Sequence, residues 1–141
     1  MNYVLTATTR IGAALTIAAA ALVSTHATAI ADSDGHQVQY TITSGQDATL
    51  SVSYLAADPA SKAALDANPD AYLRNERIGV GPGAPWVFTT TLNDTSWAYV
   101  MAGGAARYNG TPNPHCEIAV DGNVVMQQDG ETAATCALKP W

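Results

Sequence analysis

The sequence holds little that would support metal, redox or nucleophilic chemistry. Its 141 residues include only two cysteines and three histidines. No two histidines have metal-ligand spacing, and there is no Cys-x-x-Cys pair. No Gly-x-x-x-x-Gly-Lys loop is present to cradle phosphate, and no serine sits in a Gly-x-Ser-x-Gly elbow. Basic charge is also scarce. Six Lys and Arg stand against twelve Asp and Glu, a net charge of −6. An acidic surface of this kind argues against a nucleic-acid partner and against electrostatic attachment to anionic lipid.

One long apolar run is present. Residues 1–10 are polar with a single basic side chain, Arg10, and Ile11 to Val23 then carries no charge. Such a run has the length of a signal-peptide core and is shorter than the ~20 residues that span a bilayer. Ala27-Thr28-Ala29 and Ala29-Ile30-Ala31 both fit an Ala-x-Ala cleavage pattern. The expectation is a signal peptide over residues 1–31, cut after Ala29 or Ala31, and one secreted or periplasmic domain over residues 32–141. The competing reading keeps the apolar run as a membrane anchor. In an oxidising compartment Cys116 and Cys136 are expected to form one disulfide.

The mature segment alternates in the way half-buried strands do. Val38, Tyr40 and Ile42 share one face, as do Leu50, Val52 and Tyr54, and the turn Ser44–Asp47 between them suggests an antiparallel hairpin. Asp58-Pro59 predicts a helix start, with helix formers over Ala60 to Ala67 and a stop at Asn68-Pro69. Extended segments follow at Arg77–Val80, Trp86–Leu92 and Trp97–Met101. Cys116, Ile118 and Val120 then run into the turn Asp121-Gly122-Asn123, and a last strand contains Cys136. A three-residue turn here places Val120 opposite Val124 and Ile118 opposite Met126. The pattern predicts an all-β fold, an Ig-like antiparallel β-sandwich of about seven strands with a short helical insertion.

Chemistry is sparse in this framework. His36 and His115 are the only histidines after residue 31, and a small secreted hydrolase would need one of them beside a serine or an acid in a cleft. Asp47, Asp94, Asp121 and Asp129 lie in predicted turns, where a carboxylate ordinarily bonds to turn backbone. No catalytic residue, metal site or cofactor is expected. The aromatic residues are the more informative set. Trp86, Trp97 and Tyr72 are candidates to border an apolar groove for a lipid-like ligand, while Tyr40, Tyr54, Phe88 and Tyr99 read mainly as core.

The block Cys116-Glu117-Ile118-Ala119-Val120-Asp121-Gly122-Asn123-Val124-Val125, followed by Cys136, resembles the MmpS family of small mycobacterial membrane proteins. Ala84-Pro85-Trp86 is similar to that family's Leu-Pro-Trp segment. The resemblance implies a disulfide-stapled β-sandwich of the cell envelope that assists lipid and siderophore exporters and is not an enzyme. Its implied partners are a cell-envelope lipid, a siderophore-like molecule or a membrane protein. Two features depart from it: the excursion from Asp58 to Glu76 is long, and residues 11–23 look cleavable. The expected function is therefore a secreted, non-enzymatic accessory or binding protein. A membrane-anchored transporter accessory and a small secreted hydrolase are the alternatives.

Overall fold

The computed structural model describes residues 35–104 and 110–141. The expected signal peptide and both cleavage positions, Ala29 and Ala31, lie outside the described residues. Eight strands run through the described chain: β1 (His36–Ser44), β2 (Ala48–Leu55), β3 (Leu73–Val80), β4 (Trp86–Leu92), β5 (Tyr99–Gly103), β6 (Pro114–Val120), β7 (Asn123–Asp129) and β8 (Ala133–Ala137). They form two four-stranded antiparallel sheets with the orders β4-β1-β6-β7 and β3-β2-β5-β8. The β-sandwich expected from alternation is thus present, with eight strands in place of seven.

The first two strands do not form the expected hairpin. β1 pairs with β4 and β6, whereas β2 pairs with β3 and β5. Their apolar faces therefore look at each other across the core: Val38, Tyr40 and Ile42 from one sheet, Leu50, Val52 and Tyr54 from the other, all buried. The crossing is made at Ser44, itself buried. Its hydroxyl lies 2.5 Å from the Pro112 carbonyl and 2.6 Å from the Gln46 carbonyl, and the Gly45 amide donates to Pro112 and Asn113. These bonds draw the turn toward the segment that enters β6. Alternation reports which face is buried and is silent about which strand lies alongside.

The helical insertion is shorter than predicted. α1 spans Lys62–Ala67, and Ser61, not Asp58, caps it by accepting from the Ala64 amide at 3.1 Å. Asp58 instead accepts from the amides of Asn93 and Asp94, holding the insertion to the end of β4. Only Leu65 of α1 is buried, which fits a six-residue helix that depends on the sandwich. A 3-10 turn at Pro69–Ala71 follows, as the Asn68-Pro69 stop suggests.

Two further local expectations shift. Trp97 ends a 3-10 turn, Thr95–Trp97, so β5 starts two residues later than predicted. Asp94 caps that turn by accepting from the Ser96 amide at 3.0 Å. The β6–β7 turn has two central residues, Asp121 (φ 50°) and Gly122 (φ 84°). Both are left-handed, as the tight primed turn of a hairpin requires. Ile118 pairs with Met126 as expected, but Val120 pairs with Asn123, because β7 carries a bulge opposite the Ile118–Ala119 step. Val124 is consequently half-exposed.

Candidate functional site

The two sides of the sandwich differ. On one side Cys116 of β6 and Cys136 of β8 are joined, Cα to Cα 6.0 Å, with both fully buried. The expected disulfide therefore ties one sheet to the other. Val100, Ala102, Ile118 and Ala134 seal the core around it. On the other side lie β4 and β3, the outermost strands of their sheets. Here the inward positions of β4, namely Trp86, Phe88 and Thr90, stay only half-buried. On β3 the positions in register with buried residues of β2 include Arg74, opposite Tyr54, and Glu76, opposite Val52, and both are exposed, whereas Ile78 and Val80 are buried.

The rings at this open side form one connected set. Tyr54 lies 4.5 Å from Phe88 and 5.1 Å from Trp86, centroid to centroid, and Tyr40 lies 6.2 Å from Tyr54. Trp86 and Phe88 are nearly parallel, at 10°. The Tyr40 hydroxyl donates to the Leu55 carbonyl at 2.9 Å, which satisfies a polar group at full burial. Burial pushes the Tyr40 phenol well above its ordinary pKa. Burial, reinforced by the Glu76 carboxylate that it faces, pushes Tyr54 up to about 12. The arrangement is an aromatic cluster, with buried Tyr40 and Tyr54 in contact with the half-buried rings of Trp86 and Phe88, and with Arg74 and Glu76 exposed on β3. It offers apolar contact and charge recognition.

The candidate groove residues are distributed over separate places. Trp86 is in the set just described. Trp97 belongs to a second set, 5.6 Å from Trp141, which also lies 5.0 Å from Tyr99. Lys139 sits over the Trp97 ring with Nζ 2.7 Å from its centroid, so chain from the end of the sandwich already occupies that face. Desolvation lowers the Lys139 pKa. Tyr72 precedes β3, half-buried, its carbonyl accepting from the Ala56 amide. Arg74 and Glu76 went unnoticed in the sequence. The signal for them is their parity with Ile78 and Val80, which places two charges on the inward side of a strand.

Both histidines contact carboxylates. His36 Nδ1 lies 2.6 Å from Asp121 Oδ2, and His115 Nδ1 lies 2.8 Å from Asp129 Oδ1. Both pairs are at the surface, and no serine or cysteine is bonded to either ring among the described residues. Asp121 also accepts from the Gln37 amide at 2.9 Å. These pairs lock turns and strand ends of the β1–β6–β7 sheet. The His36 contact, aided by that amide, holds the Asp121 carboxyl below its ordinary range. A shallow depression of about 370 Å³ lies on the outer face of the other sheet, lined by Ser51, Ser53, Asn75, Arg77 and Met101 among others. Among the described residues no group of three or more His, Cys, Asp or Glu is placed to hold a metal ion.

The protein is thus a disulfide-tied, two-sheet β-sandwich with a partly exposed aromatic cluster beside its outer strand β4. Residues 40–136 match the Rv2576c beta-sandwich domain family, and the chain belongs to that family. It is 44% identical over 116 residues to the uncharacterised protein Rv2576c of Mycobacterium tuberculosis, covering 82% of this chain and 74% of the relative. It is equally similar to the uncharacterised protein Mb2606c of Mycobacterium bovis. This overturns the resemblance to the MmpS family. The block from Cys116 to Val125 that carried it lies inside the matched Rv2576c segment. Its pattern is what any disulfide-tied hairpin needs: inward apolar residues at alternate positions and an Asp-Gly pair that accepts left-handed φ.

Proposed function

We propose that the chain is an exported, non-enzymatic binding protein of the cell envelope. In this reading its ligand is an amphiphile taken at the aromatic cluster beside β4. The observation that carries the reading is the half-exposure of Trp86 and Phe88, large apolar side chains on an inward face, beside exposed Arg74 and Glu76. An apolar chain would lie on the rings, and a polar head would meet the charges on β3. A disulfide between fully buried cysteines supports work in an oxidising compartment.

The test is tryptophan fluorescence and native mass spectrometry of the purified protein with short-chain phospholipid micelles as the probe. The expected result is saturable binding that weakens by about tenfold or more in Trp86→Ala, as loss of one large apolar contact implies. Trp97→Ala, whose ring Lys139 covers on one face and which lies outside the Trp86 cluster, is expected to bind as the parent does. Absence of binding, or equal binding by Trp86→Ala, would overturn the reading.

A further inference from the structure

On the solvent face of an antiparallel sheet, long polar and charged side chains ordinarily pair across strands. The outer face of the β3-β2-β5-β8 sheet is built differently. In register across it run Arg77, Ser51, Gly103 and Ala133, and beside them Asn75, Ser53, Met101 and Thr135. The small side chains between Arg77 and Met101 leave the depression of about 370 Å³ that these two residues line with Ser51, Ser53 and Asn75.

Charge in this depression is unlike that of the chain as a whole, where twelve acids outnumber six bases. The other described Lys and Arg side chains are engaged. Lys62 pairs with Asp66, Arg74 donates to the Asp70 and Leu73 carbonyls, and Lys139 covers Trp97. The Arg77 side chain makes no hydrogen bond, ion pair or ring contact among the described residues, and neither do those of Ser51, Ser53 and Asn75. No strand position on this face holds an acid. Glu76 borders the depression but alternates to the inward side, toward the Tyr54 hydroxyl. Asp47 packs against Gly81, past the Thr49–Gly79 pair, and Glu131 precedes β8 at the far edge of the sheet.

We propose that this depression binds a small hydroxylated monocarboxylate of the sugar-acid class. Arg77 takes the carboxylate, whose two oxygens match the guanidinium fork. Ser51, Ser53 and Asn75 meet the hydroxyls, and Met101 meets the C–H face. A single cation on an acidic chain suits a monoanion better than a dianion such as phosphate. The site lies on the opposite face of β2 and β3 from the Trp86 cluster and does not rest on it.

The test is an amide-resonance titration of the purified protein by nuclear magnetic resonance, with D-glucuronate as the probe. An open site with one ion pair is expected to bind weakly, with Kd of about 1–10 mM. Saturable shifts should centre on residues 51–53, 75–77 and 101–103. D-glucose, which lacks the carboxylate, should give no saturable shift up to about 50 mM. Arg77→Gln should weaken binding about fivefold, while Lys62→Gln, with the same loss of charge, binds as the parent does. Ser51→Glu sets a carboxylate opposite Arg77 and should abolish binding with circular dichroism unchanged. No saturable shift with glucuronate overturns the proposal. So do equal shifts with glucose, tighter binding of inorganic phosphate at these residues, or binding indifferent to Arg77→Gln.

Discussion

Replacing both Cys116 and Cys136 with alanine removes the disulfide between the sheets. The two positions are 20 residues apart. Closing a loop of that length in the unfolded chain costs entropy of about 11 cal/mol/K, or about 3.3 kcal/mol at 25 °C. Both sulfurs are fully buried, so the shortened side chains also leave unfilled space among Val100, Ile118 and their neighbours. The total loss is expected at about 3–5 kcal/mol, a large share of the stability of one small domain. With a urea m-value of about 1–3 kcal/mol/M, the midpoint falls by about 1–5 M. The assay is urea unfolding followed in parallel by tryptophan fluorescence and far-ultraviolet circular dichroism. The bridge joins β6 to β8, in opposite sheets, so both signals should move together. Cys136→Ala alone should lose nearly as much, because either substitution breaks the bridge. A double variant unfolding within about 0.3 M of the parent would refute the reasoning.

Tyr40→Phe leaves the packing intact but strips the Leu55 carbonyl of a buried donor; an expected cost of about 1–2 kcal/mol is read from the thermal midpoint. Ser44→Ala removes the hydroxyl that directs β1 into one sheet and β2 into the other, and should cost about 1–3 kcal/mol in urea unfolding; a neutral result would mean the Gly45 amide bonds suffice for the crossing. For Asp121, whose carboxyl is held below its ordinary range by His36 and the Gln37 amide, the stabilisation is present above the unfolded-state value near 3.8. It is lost as pH falls through the lower folded value. The thermal midpoint of Asp121→Asn should therefore lie below the parent's at neutral pH and converge with it in acid; a gap that persists or widens below pH of about 3 would contradict this.

Burial was legible from alternation, because a period of two reports directly which side chains face inward. Val38, Tyr40, Ile42, Leu50, Val52 and Tyr54 are all buried, as their spacing predicts. Pairing was not legible. β1 and β2 read as a hairpin since a short polar turn separates them, and the bonds that send them apart come from Pro112 and Asn113, almost seventy residues later. The same distance effect misplaced the helix start. Asp58-Pro59 is a good local cap, yet tertiary contact with Asn93 and Asp94 recruits the carboxylate and leaves the cap to Ser61. At the aromatic cluster, Trp86 stood out by type. Its companions Arg74 and Glu76 did not, because they fall in the stretch read as an excursion, Asp58 to Glu76, whereas β3 begins at Leu73, four residues before the extended segment expected at Arg77.

The aromatic cluster and the disulfide sit at opposite sides of one core. Around the disulfide the buried inward residues of β5 and β8 are Val100, Ala102, Ala134 and Cys136, with Cys116 and Ile118 opposite on β6. Toward β4 the inward residues are Tyr40, Tyr54, Trp86 and Phe88. Trp86 and Phe88 lie on the outermost strand of their sheet and stay half-buried, packed against Tyr54 and against each other. Their truncation should therefore cost less stability than the ~3–5 kcal/mol typical of a sealed aromatic. That shortfall measures how much of their surface the fold itself leaves unused.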